Sequence, residues 1–204
     1  MPNASDVRIG APDQSTTGAI LHAPVGTTLP TLSSISKSGV TLDQAFTGNE
    51  YVSEDGLTLS PGISTTDIKE WGGAVVRKLL ESFDGTLSWT MISTTEGALD
   101  VAFGSNHVTT SAATATHGKQ VQAALGAHLP DAQSWVFLMK DGDARTVIVV
   151  PKGQVTEVGE VTFAANAAIG WQVTLSCYPD EAGECIYIMT DDGVVTGSTS
   201  TSTQ

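Results

Sequence analysis

Basic residues are scarce in this chain. Its 204 residues include 9 Lys and Arg against 22 Asp and Glu, which gives a formal net charge of −13. Proteins that bind nucleic acid through its phosphates carry clustered Lys and Arg side chains. The charge balance therefore excludes that class of nucleic-acid-binding protein.

Cysteine is scarcer still, and long apolar runs are missing. Two cysteines exclude a disulfide-stapled scaffold, and no run approaches the ~18 apolar residues of a membrane helix, so we expect no membrane partner. Residues 1–10 lack the basic start and apolar stretch of a secretory signal. We expect Cys177 and Cys185 to be reduced thiols with one or both buried, although their places at the ends of a predicted hairpin leave a pairing open.

The motifs of catalysis and of metal or phosphate binding are also missing. No Ser stands in a G-x-S-x-G elbow, Gly72-Gly73 lacks the Lys of a phosphate loop, and Asp141-Gly142-Asp143 fails as a calcium loop because Arg145 and Lys152 stand where ligands would. Four histidines occur without a close pair or a carboxylate at ligand spacing: His22, His107, His117 and His128. We interpret them as surface residues. We predict no enzyme and no catalytic, cofactor-binding or metal-binding residues, although a triad of residues distant in sequence stays open.

Threonine is abundant. The chain holds 27 Thr, a β-branched residue that suits a pleated, half-exposed surface, so the composition favours β structure. The length predicts one domain. A domain of this size can bury about 70% of its unfolded surface, so it needs no disulfides or metal ions to fold.

Alternating apolar residues predict about seven or eight strands. The clearest candidates are residues 19–23, 87–92, 134–140, 145–150, 154–163, 169–178 and 185–190. Residues 141–144 (DGDA) have the signature of a hairpin turn, and residues 179–183 (PDEAG) predict a second turn that joins 169–178 to 185–190.

One helix is predicted after residue 93. Ser93 can cap its N-terminus with Glu96 three residues on, and Gly104 stands where a C-terminal glycine belongs. Residues 71–83 (WGGAVVRKLLESF) are ambiguous. Trp71, Val75, Leu79 and Phe83 have helical spacing, but Gly72-Gly73 and the paired valines disfavour a helix.

The first 66 residues are rich in Ser, Thr, Gly and Pro. A disordered leader is one interpretation, and a functional arm or binding loop is the other. Ten apolar side chains favour the second: Leu29, Leu32, Ile35, Val40, Leu42, Phe46, Tyr51, Val52, Leu57 and Leu59.

Several segments, in order, carry a resemblance over residues 18–193. They are residues 23–27 (APVGT), 51–57 (YVSEDGL), 68–73 (IKEWGG), 88–96 (SWTMISTTE), 145–158 (RTVIVVPKGQVTEV) and 168–180 (AIGWQVTLSCYPD), with Tyr187 and 191–193 (DDG). Together they resemble the major tail protein, or tail tube protein, of long-tailed phages that infect actinobacteria.

The resemblance implies a mainly β fold, a β-sandwich or barrel-like tail tube domain with one flanking helix and a long N-terminal arm and loop. Residues 1–17 would be a flexible arm, 18–193 the tail tube domain, 37–66 a long loop that reaches other subunits, and 194–204 a disordered Ser/Thr tail. Residues 71–83 would be a strand.

The resemblance also implies a structural virion protein, assembled in the host cytoplasm, whose hexameric rings stack into a tail tube for genome ejection. Its partners would be other copies of itself and the tape measure, tail terminator and distal tail proteins. DNA would pass through an acidic lumen without specific binding, which agrees with the charge of −13. Alternatives are a virion decoration protein and a carbohydrate- or receptor-binding β-sandwich with a cluster of exposed aromatic residues.

Overall fold

β-Strands are the main regular structure of the chain. A computed structural model describes residues 7–13, 18–48 and 50–195. Parts of the predicted N-terminal arm (1–6 and 14–17) and most of the predicted tail (196–204) lie outside the described residues. The strands are β1 Ala11–Pro12, β2 Ile20–Pro24, β3 Ile35–Ser36, β4 Gly39–Val40, β5 Val52–Ser60, β6 Ile63–Lys69, β7 Val75–Phe83, β8 Thr86–Met91, β9 Val108–Ser111, β10 Gln120–Ala123, β11 Gln133–Asp141, β12 Ala144–Val158, β13 Trp171–Tyr178 and β14 Tyr187–Asp191, and helix α1 is Glu96–Phe103.

One antiparallel sheet of eight strands organises the molecule. Its main path runs β1-β11-β12-β13-β8-β5, with β2 beside β11 and β14 beside β12. The 15-residue strand β12 pairs with β11 and β14 along its first half and with β13 along its second half. The two halves of β12 therefore lie in two layers of a β-sandwich. The first half lies with β11 and β14, and the second half lies with β13 and β8.

The first hydrophobic core lies between these layers. Trp89 of β8 meets Trp135 and Phe137 of β11, with both pairs of ring centroids 5.5 Å apart. Strands distant in the sheet order thus contact each other across the core. Helix α1 covers this core through Ala98, Val101 and Ala102, which are buried.

A second core lies on the opposite face of β11 and β12. Val136 and Val149 are buried there together with Leu21 of the neighbouring strand β2 and Phe46 of the segment that follows β4. Neighbouring residues of β11 therefore enter different cores, and both of its faces are buried. Strands of this kind have continuous apolar sequences, which explains the run WVFLM at 135–139.

The hairpin at 141–144 and the single helix were predicted correctly, but the start of the helix was not. Asp141 pairs with Ala144 across a tight turn, and Gly104 is the C-cap of α1. The N-cap is Thr95, whose hydroxyl accepts a hydrogen bond from the Ala98 amide at 3.2 Å. Ser93 instead donates a hydrogen bond to Glu50, so the proposed Ser93 cap is wrong.

Two strand predictions need correction. Residues 154–158 continue β12 instead of starting a separate strand that ends at 163. Strand β14 pairs with β12 instead of returning along β13, so Cys177 and Cys185 do not face each other across a hairpin. Both thiols are free, with Cys177 buried and Cys185 half-buried.

The N-terminal third is more ordered than predicted. Residues 37–66, expected as a loop, contain β4, β5 and the start of β6. The described part of the expected flexible arm lies on the sheet, where Ala11 and Pro12 pair with β11. Asp13 is buried beside Arg145, with its Oδ2 3.3 Å from Nε. Residues 75–83 form a strand, as the resemblance implied.

Candidate assembly surfaces

Strands β6 and β7 form a two-stranded antiparallel ribbon that is separate from the main sheet. We call residues 63–83 the apolar ribbon. Large apolar side chains are exposed on both strands, and the exposed fraction reaches 64% for Ile63, 67% for Val76 and 69% for Leu80. Trp71, in the turn between the strands, is fully exposed.

Local polar contacts hold the ribbon together. In its turn the Glu70 amide donates to the Ala74 carbonyl at 2.9 Å, and Gly73 has a φ of +88°, a conformation that favours glycine. Along the strands, Lys78 Nζ lies 2.7 Å from Asp67 Oδ1. These contacts fix the hairpin without covering its apolar side chains.

Exposure on both faces sets the ribbon apart from an ordinary surface hairpin. A lone two-stranded hairpin is only marginally stable in water, and a large exposed apolar patch marks a site that another molecule covers. The ribbon is therefore the strongest candidate for an assembly contact. The residue pattern of 71–83 was ambiguous, and only the family resemblance implied a strand there. Neither predicted its exposure. The available signal was Val76 and Leu80, apolar residues that lie between the four residues with helical spacing.

Two strand edges of the main sheet form a second candidate surface. Among the described residues, β5 pairs only with β8 and β14 only with β12 within this sheet, so each has one free edge. A free edge presents unpaired backbone N–H and C=O groups that can pair with another chain. Both edges can extend the sheet from one copy to the next.

The structure brings two of the four histidines together. His107 stacks on His128 with ring centroids 3.4 Å apart, and His22 lies 5.1 Å from Trp135. Burial lowers the pKa of His22, whereas a hydrogen bond with Gln133 and the negative charge of Glu50 raise it to a smaller extent. All four residues are half-buried. The described residues contain no group of three or more His, Cys, Asp or Glu that could hold a metal ion.

A cavity of about 240 Å³ lies between β2, β8 and α1. Glu50 lines it and accepts hydrogen bonds from the hydroxyls of Ser93 and Thr95, the latter at 2.7 and 2.8 Å. Burial raises the pKa of Asp100 in the same cavity, and the charges of Glu96 and Glu50 raise it further. Both hydroxyl donors lie at the start of α1, so Glu50 anchors that end of the helix.

Both cysteine thiols have raised pKa values. Burial raises the pKa of the Cys177 thiol to about 12, and the nearby Cys185 adds to the effect. Burial and the charges of Glu184 and Asp180 raise the pKa of Cys185 as well. Because the thiolate is the reactive form, neither group is activated. Of the helices in the described ranges, none has the length and apolar character to cross a membrane.

Residues 2–200 match a family model described as phage tail tube protein. The sequence matches no curated protein. Among solved structures, the fold is similar to a chain described as "Cryo-EM structure of the anti-feeding prophage cap (AFP tube terminating cap)". The two share 11% identity and a TM-score of 0.42 over 91% of this chain and 94% of the other.

Proposed function

Because the chain belongs to the phage tail tube protein family, a structural component of the virion tail and not an enzyme, we propose that it assembles into hexameric rings. The rings stack into a tube that carries the genome during ejection. The apolar ribbon is the observation that carries this proposal, since none of the described residues covers its two exposed faces.

The two candidate surfaces suit two directions of growth. Repeated head-to-tail contacts close into a ring when the rotation between copies allows closure, while stacking leaves the axial direction open. The free edges of β5 and β14 suit contacts within a ring, because pairing them removes the exposed edges. The apolar ribbon suits contacts with a neighbouring subunit or ring.

The boundaries of these units follow the same proposal. Residues 18–193 act as the tail tube domain, and the inter-subunit role expected for 37–66 belongs to β5 and the adjoining ribbon. The described residues 11–13 belong with this domain, because β1 pairs with β11 and Asp13 is buried beside Arg145. Further partners are the tape measure, tail terminator and distal tail proteins. The segments that resemble actinobacteriophage proteins favour a long, non-contractile tail.

Electron microscopy of the purified full-length chain tests the proposal. We expect negative-stain images after prolonged incubation at high concentration to show stacked rings with a central channel and six-fold averages. Discrete trimers or dimers that never stack would contradict the proposal and favour a decoration or binding protein.

A substitution in the apolar ribbon tests which surface drives assembly. We expect Leu80→Asp to abolish tubes, because a carboxylate would have to be buried in the contact, and to leave the far-ultraviolet circular dichroism of the subunit unchanged. Leu125→Asp is a matched control, since Leu125 is 72% exposed against 69% for Leu80 and lies outside the ribbon. Normal tubes from Leu80→Asp would exclude the ribbon as the principal contact.

A further inference from the structure

One broad face of the main sheet carries small hydroxyl side chains. On β8, Leu87, Trp89 and Met91 point into the first core, so Thr86 and Ser88 point away from it. The register continues this pattern across the sheet. Ser60, Thr86 and Ser176 form one row, and Thr58, Ser88 and Thr174 form the next. We call these six residues the hydroxyl face.

Charged groups stand at the margin of this face. On β12, Glu157 lies opposite Thr174, and Lys152 lies opposite Tyr178 one row beyond Ser176. The two central rows on β5, β8 and β13 contain no carboxylate and no cation. The apolar ribbon differs, because it carries the ion pair of Lys78 and Asp67. Rows of only neutral polar side chains are therefore a feature of β5, β8 and β13 and not of every exposed strand.

We propose that the hydroxyl face lines the tube lumen and is the surface past which double-stranded DNA moves. This inference rests on the proposed function and adds which residues face the DNA. Cations would hold the duplex by neutralising phosphates and releasing counterions, and a large apolar surface would associate with other proteins. Hydroxyls keep the wall hydrated. They can donate hydrogen bonds to phosphates, but they carry no positive charge and so release no counterions. On this proposal the two central rows of the wall are neutral, and the carboxylate of Glu157 stands at their margin.

The shape of the subunit supports this orientation. The hydroxyl face is one side of a single sheet layer, whereas the opposite side carries the first core and helix α1. The circumference of a ring grows with radius, so the thin layer fits at small radius and the bulky side at large radius. The free edge of β5 borders the hydroxyl face, so pairing at that edge would continue the face into the next copy.

Site-specific biotin tests the orientation in assembled tubes. The parent is the full chain with Cys185→Ser, because Cys185 is the more accessible native thiol. Ser88→Cys places a thiol on the hydroxyl face, and Thr110→Cys places one in β9, which packs near α1 on the bulky side. Each variant is labelled as free subunit with a maleimide-biotin, assembled, and incubated with streptavidin.

We expect streptavidin to decorate Thr110→Cys tubes and to be lost from Ser88→Cys tubes, with full binding restored when the tubes are dissociated. A small maleimide dye should still react with unlabelled Ser88→Cys tubes, because a lumen is open to solvent. Streptavidin along the outer wall of Ser88→Cys tubes would overturn the inference and leave the proposed function standing. Protection from the dye as well would overturn it in favour of a buried contact. Failure of the parent to form tubes would overturn the proposed function itself.

Discussion

The apolar ribbon and the central pair β11–β12 are both antiparallel hairpins rich in apolar residues, yet their surroundings are opposite. Phe137 and Val136 of the central pair are 1% and 0% exposed, on two different faces. Leu80 and Val76 of the ribbon are 69% and 67% exposed. The central pair is covered twice by its own chain, whereas the ribbon is covered by none of the described residues.

The difference shows where each apolar sequence obtains its burial. Burial of apolar surface is worth about 25 cal/mol per Å², and β11–β12 obtains it when the chain folds. The ribbon does not obtain it from the described part of its own chain, and on the proposed function it obtains it from a neighbouring copy. Apolar residues in the central pair should therefore determine stability of the subunit, and those of the ribbon should determine assembly.

The largest expected contrast compares one core residue with one ribbon residue. We expect Phe137→Ala to lower the free energy of unfolding by about 3–5 kcal/mol, because it leaves a cavity beside Trp89 and Trp135. Leu80→Ala should change it by less than about 0.5 kcal/mol, the usual range for an exposed site. Chemical denaturation of dilute, unassembled subunits followed by circular dichroism measures both values. Equal losses would mean that the ribbon already packs within the subunit, and the contrast between the two hairpins would fail.

A buried ion pair provides the next test, because it ties the N-terminal segment to the central pair. Arg145 of β12 and Asp13 each have 4% side-chain exposure, and Arg145 Nη2 also donates to the Lys37 carbonyl at 3.0 Å. We expect Asp13→Ala to cost about 3–5 kcal/mol of unfolding free energy, since it leaves a buried guanidinium without its carboxylate.

The double variant Asp13→Ala with Arg145→Met is the control for this pair. It removes both charges, so we expect it to recover much of the stability lost in Asp13→Ala, again measured by chemical denaturation. If Asp13→Ala unfolds at the same denaturant concentration as the parent, the N-terminal segment is not held by this pair.

The central hairpin could be predicted from sequence because its information is local. Residues 141–144 specify a tight turn, and the apolar runs on either side specify strands buried on both faces. The ribbon was ambiguous for a physical reason. Trp71, Val75, Leu79 and Phe83 are four residues apart, a spacing that fits one face of a helix and equally one face of a strand, whose period is two.

Strand partners and exposure could not be predicted in the same way. Nothing in residues 185–190 distinguishes pairing with β12 from a return along β13, because edge pairing depends on which backbone is left open by the rest of the sheet. Likewise, the apolar residues of 37–66 required cover, but Phe46 finds it inside the subunit and Ile63 does not. That distinction follows from the three-dimensional placement of the segment and not from its composition.

The smallest expected effect concerns the ion pair of the apolar ribbon, which sharpens the contrast with Asp13 and Arg145. Lys78 and Asp67 have side-chain exposures of 65% and 34% at a separation of 2.7 Å. We expect Lys78→Ala to change the unfolding free energy by about 0–1 kcal/mol, because an exposed pair is screened by water and loses side-chain entropy when it forms. Chemical denaturation at low and high salt measures this, and the difference from the parent should shrink as salt rises. A salt-independent loss as large as that of Asp13→Ala would show that the ribbon is buried within the subunit, because only a desolvated pair resists screening to that degree.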